Sequence, residues 1–250
     1  MFKAIFFDLS GVLYDGKKVI PGAVEAVLKA QQSELEVRFV TNTSRMSRTQ
    51  ILSGLQNMGF ELSPEQLFTA PAAAKALVQI NNWRPYCLVH ANIHEEFSDI
   101  DQSAPNAVII GDAADDFCYK NLNHAFQLVH AGAPLLGIGD NRYFKLDGTL
   151  NLDAGPFIHA IEYAASTKAI IMGKPSVDFF NLAADSVGAA RSEILMVGDD
   201  IFGDIGGAIN AGLQACLVKT GKYQVGDEGL IDKDFLRVNS ICQAVDFALN

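Results

Sequence analysis

Lys3-Ala4-Ile5-Phe6-Phe7-Asp8-Leu9-Ser10-Gly11-Val12 is the stretch on which the reading turns. An apolar run of strand length, Ala4 to Phe7, stops on a carboxylate, and Gly11 permits a sharp turn that leaves Asp8 and nearby backbone groups facing one point. Runs of the same kind recur at Val37 to Val40, Ala169 to Met172, Ile194 to Val197 and Ala215 to Val218. Between them lie helical patterns, such as Ile51, Leu55 and Met58, or Val177, Phe180, Ala184 and Val187. The alternation predicts a parallel sheet with right-handed crossovers, whose ligand sites lie just beyond the carboxyl ends of the strands. The residues to inspect are therefore Asp8, Thr41, Lys174 and Asp199.

A middle segment, residues 72–156, repeats the alternation by itself, with strand runs Tyr86 to Val89, Ala107 to Ile110 and Pro134 to Ile138. Ala70-Pro71 and Gly155-Pro156 punctuate its ends, so it reads as an α/β unit inserted between core segments 1–71 and 157–250. The 250 residues are 49% hydrophobic and 19% charged, which excludes disorder and suits one large domain or two modest ones. With 19 basic against 29 acidic residues the net charge is −10, which argues against nucleic acid and anionic membrane surfaces as partners. No apolar run is long enough for a membrane span or a signal peptide's core. Cys87, Cys118, Cys216 and Cys242 lie far apart without a CxxC pair, which suits reduced, mostly buried thiols and a cytoplasmic setting.

Four strand ends carry chemistry. Asp8 offers a carboxylate. Thr41-Asn42-Thr43-Ser44 offers a row of small donors suited to phosphate oxygens, or an ordinary cap for a helix starting near Ser47. Gly173-Lys174-Pro175-Ser176 places one cation after a buried strand, with the proline opening the next helix. Gly198-Asp199-Asp200-Ile201-Phe202-Gly203-Asp204 crowds three carboxylates into a short turn, where like charges repel unless a cation compensates them. Hard oxygen ligands at a small site suit Mg2+. A nucleophilic carboxylate, hydroxyl donors, a cation and a metal cluster together describe phosphoryl transfer.

Two other patterns fail. Gly11, Gly16 and Lys17 fit the spacing of a nucleotide-binding loop, but Lys18 stands where Ser or Thr should be and Pro21 where the helix should already be running. His90, His94 and Glu95 lack the order of a zinc helix and a third ligand. Trp83, Phe117 and Tyr119 read as packing residues.

DLSGV, TNTS, GKPS and GDDIFGD, in that order, resemble the four motifs of the haloacid dehalogenase superfamily of phosphatases. The large insertion between the second and third resembles the branch with an α/β cap there, which includes the N-acetylglucosamine-6-phosphate phosphatase type. The resemblance implies a Rossmann-like doubly wound parallel sheet core with an inserted α/β cap domain, and Mg2+ as cofactor. It implies Asp8 as the nucleophile that forms an aspartyl-phosphate, with Asp8, the Ser10 carbonyl and Asp199 around the metal. Thr41, Asn42 and Lys174 would hold phosphate oxygens, with Asp204 and Asp200 supporting the metal ligands from behind. Substrate choice would come from the cap, where Asp140, Asn141, Arg142 and Tyr143 form a polar turn.

Most phosphatases of the superfamily carry a second Asp where this chain has Ser10. That Asp protonates the leaving group and later deprotonates water, which a serine hydroxyl cannot do near neutrality. Losing a positioned acid costs about 10²–10⁴ in rate, or roughly 3–5 kcal/mol. The loss weighs most on alkyl esters and least on phosphoramidates, acyl phosphates and pyrophosphate, so the reading is a phosphatase for labile P–N or anhydride substrates, small molecules or phosphoamino acids. The base for the second step is left between Asp15 and Asp204. The alternatives are a sugar or alkyl phosphate monoesterase and a phosphate-binding pseudoenzyme. Related capped enzymes often pair through their caps, so a homodimer is an open expectation, although no apolar helix face demands one.

Overall fold

The computed structural model describes residues 1–146 and 149–250, and the chain divides into two compact units. One comprises Met1–Thr41, Thr49–Phe68 and Lys174–Asn250; the other comprises Asn42–Arg48 and Thr69–Gly173.

In the first unit six strands form a sheet in the spatial order Leu236–Val238, Gln214–Val218, Ile194–Gly198, Ala4–Asp8, Glu36–Thr41 and Leu67–Thr69. Ala4–Asp8 is buried along its whole length and runs parallel to the neighbour on each side, as a near-continuous apolar run does when helices cover both faces of a sheet. The chain steps outward from it in one direction first and later in the other, so the order reverses there. Register then sets the site. Phe7 lies opposite Val197 and Asp8 opposite Val40, so Asp8, Asp199 and Thr41 emerge at the same sheet end. Beneath, Ile5, Phe7, Phe39, Val197 and Val218 share a core with Ala23–Gln31 and Ile241–Leu249, two helices that pack together.

The second unit has its own parallel sheet, in the order Ile170–Ile171, Leu135–Gly137, Ala107–Ile110 and Pro85–Leu88. The helices Tyr119–His130 and Ala154–Ala165 pack together beside it, with Val108, Ile110, Val129 and Ile158 in the shared core. Strands Tyr143–Leu146 and Thr149–Leu152 pair antiparallel.

The structure corrects several expectations. Gly155-Pro156 is no border: Asp153 caps the helix Ala154–Ala165 through Ala154 N–H at 2.7 Å, and Ile158 and Ile161 pack in the second unit's core. The run Ala169 to Met172 supplies a strand to the second sheet, because Ile170 and Ile171 pair with Leu136 and Gly137. Residues 42–48, expected in the core, belong to the second unit. Arg45 lies 2.6 Å from Asp112, and the Arg48 N–H donates to Glu96 at 2.7 Å. Of the four free thiols only Cys216 is buried; Cys118 is exposed. Tyr119 is 84% exposed, whereas Phe117 stacks on Phe157 at 3.8 Å.

Candidate active site

Asp8 ends its strand buried, and Lys174 reaches it with Nζ 2.6 Å from Asp8 Oδ1. The same ammonium lies 2.6 Å from Asp204 Oδ1. Lys174 opens the last segment of the first unit, shortly before the helix Val177–Asp185. Burial alone would lower its pKa, but the charges of Asp204 and Asp8 outweigh that and hold it above an ordinary lysine.

Asp199 follows the strand Ile194–Gly198 and is 1% exposed. Its Oδ2 accepts the Lys222 N–H at 2.6 Å, while its Oδ1 is buried with no hydrogen-bond partner. Burial first, and then the charge of Asp8, push its carboxyl up to about 6 against the pull of the Lys222 N–H. Asp204 is equally buried, and burial holds its carboxyl above the usual range even against Lys174. Its Oδ2 accepts the N–H groups of Asp199 and Asp200, both at 3.2 Å, so both of its oxygens are engaged. Asp200 instead caps the turn that follows, accepting from Phe202 and Gly203 N–H at 3.0 and 2.8 Å. Burial acts to raise it, but the Gly203 N–H and the charge of Lys222 bring it below the ordinary value.

Backbone must approach closely for this to assemble. A Cβ on Gly11 would stand 1.9 Å from Asp199 Oδ2, and one on Gly221 would stand 2.0 Å from the same oxygen and 2.4 Å from Gly11 Cα. Both glycines have positive φ, so the position selects glycine twice over. Thr220 Oγ1 donates to the Gly11 carbonyl, binding the loop after Gln214–Val218 to the loop after Ala4–Asp8.

Oxygen atoms of Asp8, Asp199 and Asp204 come within 4.8 Å of one another. Three buried carboxylates opposed by one ammonium, with one oxygen orphaned, fit a hard divalent cation by the chemistry of the donor set.

The structure thus brings together Asp8, Lys174, Asp199 and Asp204. Thr41 is buried at the end of the adjacent strand, and Ser10 is exposed beside the bridge to Tyr14. Asn42 groups with the second unit, its side chain against Gly173. Asp140 meets His159 Nε2 at 2.8 Å, while the carbonyls of Asn141 and Arg142 accept the N–H groups of Gly155 and Asp153 at 3.1 and 3.3 Å. Tyr143 is 58% exposed. Asp15 lies exposed in a short hairpin, Tyr14–Asp15 with Lys18–Val19. His90 and His94 have structural duties: His90 accepts Asn92 N–H at 3.2 Å, and His94 Nε2 sits 3.0 Å from the Val89 carbonyl. Sequence reasoning missed two neighbours. Lys222 carries a G-K dipeptide after a strand as its only signal, and Tyr14, whose hydroxyl burial and then Asp8 push up, carries none.

Comparison with known proteins settles the family. Residues 5–102 match the model of the haloacid dehalogenase-like hydrolases, and residues 171–244 match a second, HAD-hydrolase-like model. The chain is 43% identical to the human phospholysine phosphohistidine inorganic pyrophosphate phosphatase, over 99% of this chain and 94% of that protein. The chain belongs to the haloacid dehalogenase-like hydrolases. It is also 43% identical to bovine haloacid dehalogenase-like hydrolase domain-containing protein 2, over 99% of this chain and 96% of that one. Two solved structures, a 4-nitrophenylphosphatase from Thermotoga maritima and NagD from E. coli K-12, share the fold at 21% identity. Their TM-scores are 0.85 and 0.87, over 98% and 97% of this chain and 97% and 98% of theirs. This haloacid dehalogenase-like hydrolase is therefore a phosphoryl hydrolase with an α/β fold, and none of the helices among its described residues is long and apolar enough to cross a membrane.

Proposed function

We propose that this chain is a Mg2+-dependent phosphatase acting through an aspartyl-phosphate on labile donors, phosphoramidates such as phosphohistidine and phospholysine, and pyrophosphate. The observation that carries the chemistry is Asp8 at a strand end, 2.6 Å from Lys174, beside a buried Asp199 whose Oδ1 lacks a partner. The substrate class rests on Ser10 and on the name of the human relative.

Asp8 supplies the attacking oxygen. One of its carboxylate oxygens forms the new bond to phosphorus as the P–N or P–O bond breaks, and that bond's electron pair leaves with nitrogen or oxygen. Water then attacks the same phosphorus, the bond to Asp8 breaks, and inorganic phosphate is released. Lys174 orients Asp8 and counters charge on the phosphoryl oxygens, with Thr41 and Asn42 as further phosphate donors. Asp8, the Ser10 carbonyl and Asp199 would hold Mg2+, which when bound would supply positive charge to the phosphoryl group. Asp204 holds Lys174 and the backbone before Asp200. With both oxygens engaged it serves as a post rather than as the base. Ser10 provides no acid, which a protonated phosphoramidate nitrogen or an anhydride oxygen does not need. Substrate choice is assigned to Asn141, Arg142 and Tyr143 of the second unit.

Phosphate release from a phosphoramidate, pyrophosphate, an acyl phosphate and several alkyl phosphates, with and without Mg2+, tests this reading, with Asp8→Asn as the blank. Metal-dependent release confined to the labile donors is expected. Asp8-dependent preference for alkyl esters would discard the substrate class, and no Asp8-dependent release from any donor would discard the enzyme.

A further inference from the structure

Lys174 is held beside the nucleophile, where it serves the transferred phosphoryl group: both distances to its carboxylates are 2.6 Å and its side chain is 6% exposed. A further cation beside this cluster is Lys222, and its position is fixed from the backbone. Its N–H donates to Asp199 Oδ2 at 2.6 Å, the preceding Gly221 packs on Gly11, and Thr220 is bonded to the Gly11 carbonyl. The side chain is held differently. It is 70% exposed, and Nζ meets Asp200 Oδ2 at 3.1 Å, an exposed contact of a kind that stabilises little. Asp200 itself is anchored by two N–H groups through its other oxygen, so it offers Lys222 a fixed resting place from which a more strongly charged anion can draw the ammonium away. The four carboxylates Asp8, Asp199, Asp200 and Asp204 meanwhile leave this site short of positive charge for any polyanionic substrate.

We infer that Lys222 is a specificity-determining residue, a mobile cation that binds the leaving phosphate of pyrophosphate-like anhydrides and distinguishes them from donors with a neutral leaving group. The inference rests on the labile-donor reading above and narrows it. When Asp8 takes one phosphorus of pyrophosphate, the bridging P–O bond breaks and its electron pair stays on the departing oxygen. That phosphate gains negative charge, takes its proton from solvent, and is countered by the ammonium of Lys222. When phosphoimidazole reacts with its other ring nitrogen already protonated by solvent, the P–N electron pair goes to the ring, which departs as neutral imidazole, and no such counter-charge is called for.

The test compares Lys222→Met and Lys222→Arg with the parent protein, in Mg2+, on pyrophosphate and on phosphoimidazole. The ratio of kcat/KM for pyrophosphate to that for phosphoimidazole should fall about tenfold or more in Lys222→Met and largely recover in Lys222→Arg. An unchanged ratio, whatever the absolute rates, would overturn the inference, because loosening Asp199 or Asp200 would slow both donors alike. A second measurement stands apart from turnover: calorimetric binding of methylenediphosphonate and of inorganic phosphate to the Mg2+-loaded Asp8→Asn protein. Adding Lys222→Met should weaken diphosphonate binding about tenfold more than phosphate binding, and equal weakening would overturn the inference. If the parent protein released phosphate from neither donor, the function proposed above would fall, while the diphosphonate measurement would still decide the role of Lys222.

Discussion

Lys174 separates Asp8 from Asp204, and removing it would leave two buried carboxylates facing each other without a counter-ion. Lys174→Met is expected to cost roughly 3–5 kcal/mol in urea denaturation, because breaking a buried pair strands a charge. Lys174→Met combined with Asp204→Asn should recover part of that loss without restoring phosphate release. A simple sum of the two single effects would show that Lys174 and Asp204 do not act as a pair. Ser10 makes a different demand. Ser10→Asp should raise kcat/KM on an alkyl phosphate by about 10²-fold relative to a phosphoramidate, since it returns a proton donor that only the poor leaving group needs. An unchanged ratio would sink the leaving-group explanation of substrate choice.

At the scale of elements, the loop 42–48 and the strand ends are placed by different forces. Arg45 Nε lies 2.6 Å from Asp112 Oδ2 without the alignment of a hydrogen bond, and its guanidinium sits 4.3 Å over the Phe144 ring. Arg45→Met would leave a nearly buried carboxylate without its cation. A loss of about 1–3 kcal/mol is expected, seen as faster hydrogen exchange confined to the second unit. Thr69 caps Ala70–Ile80 by accepting Ala72 N–H at 3.2 Å, so Thr69→Ala should lower stability by about 1 kcal/mol in the same denaturation assay. These contacts also separate what the chain announces from what it hides. Asp8, Lys174 and Asp199 are legible because each follows an apolar run, and a parallel sheet exposes whatever follows its strands. Ile170–Ile171 misleads because a short apolar run reads alike in either sheet, and only pairing with Leu136 and Gly137 decides. Leu67–Thr69 and Leu236–Val238 are too short to show a period. The allegiance of residues 42–48 depends on Asp112 and Glu96, far along the chain, and no local pattern announces such a partner. Lys222 escapes notice for a related reason: its importance lies in a backbone N–H, which every residue but proline has.

For the molecule as a whole, the acidic cluster makes stability depend on pH and metal together. Burial raises the Asp199 carboxyl to about 6, so folding favours its protonated form. That contribution is present at low pH and is lost as pH rises through about 6. The metal-free protein should therefore melt at a lower temperature at pH 8 than at pH 5, as far as this group governs it. Mg2+ takes only the ionised carboxylate, so its stabilising effect should be large at pH 8 and fade below about pH 6. Thermal melts with Mg2+ and with a chelator, at both pH values, check this. Asp199→Asn should flatten both dependences, and a Mg2+ effect of equal size at pH 5 and pH 8 would count against the cluster as its site.

The chain passes between its two units at residues 41–42, 48–49, 68–69 and 173–174, so the second unit is encoded in two pieces. Anyone grafting it between relatives as a cassette of residues 69–173 would deliver Asp112 and Glu96 while leaving Arg45 and the Arg48 N–H behind in the recipient. Such an exchange succeeds only where the recipient already encodes the missing seven residues, and diversification of this part of the molecule is tied to a short stretch that overlaps the second motif.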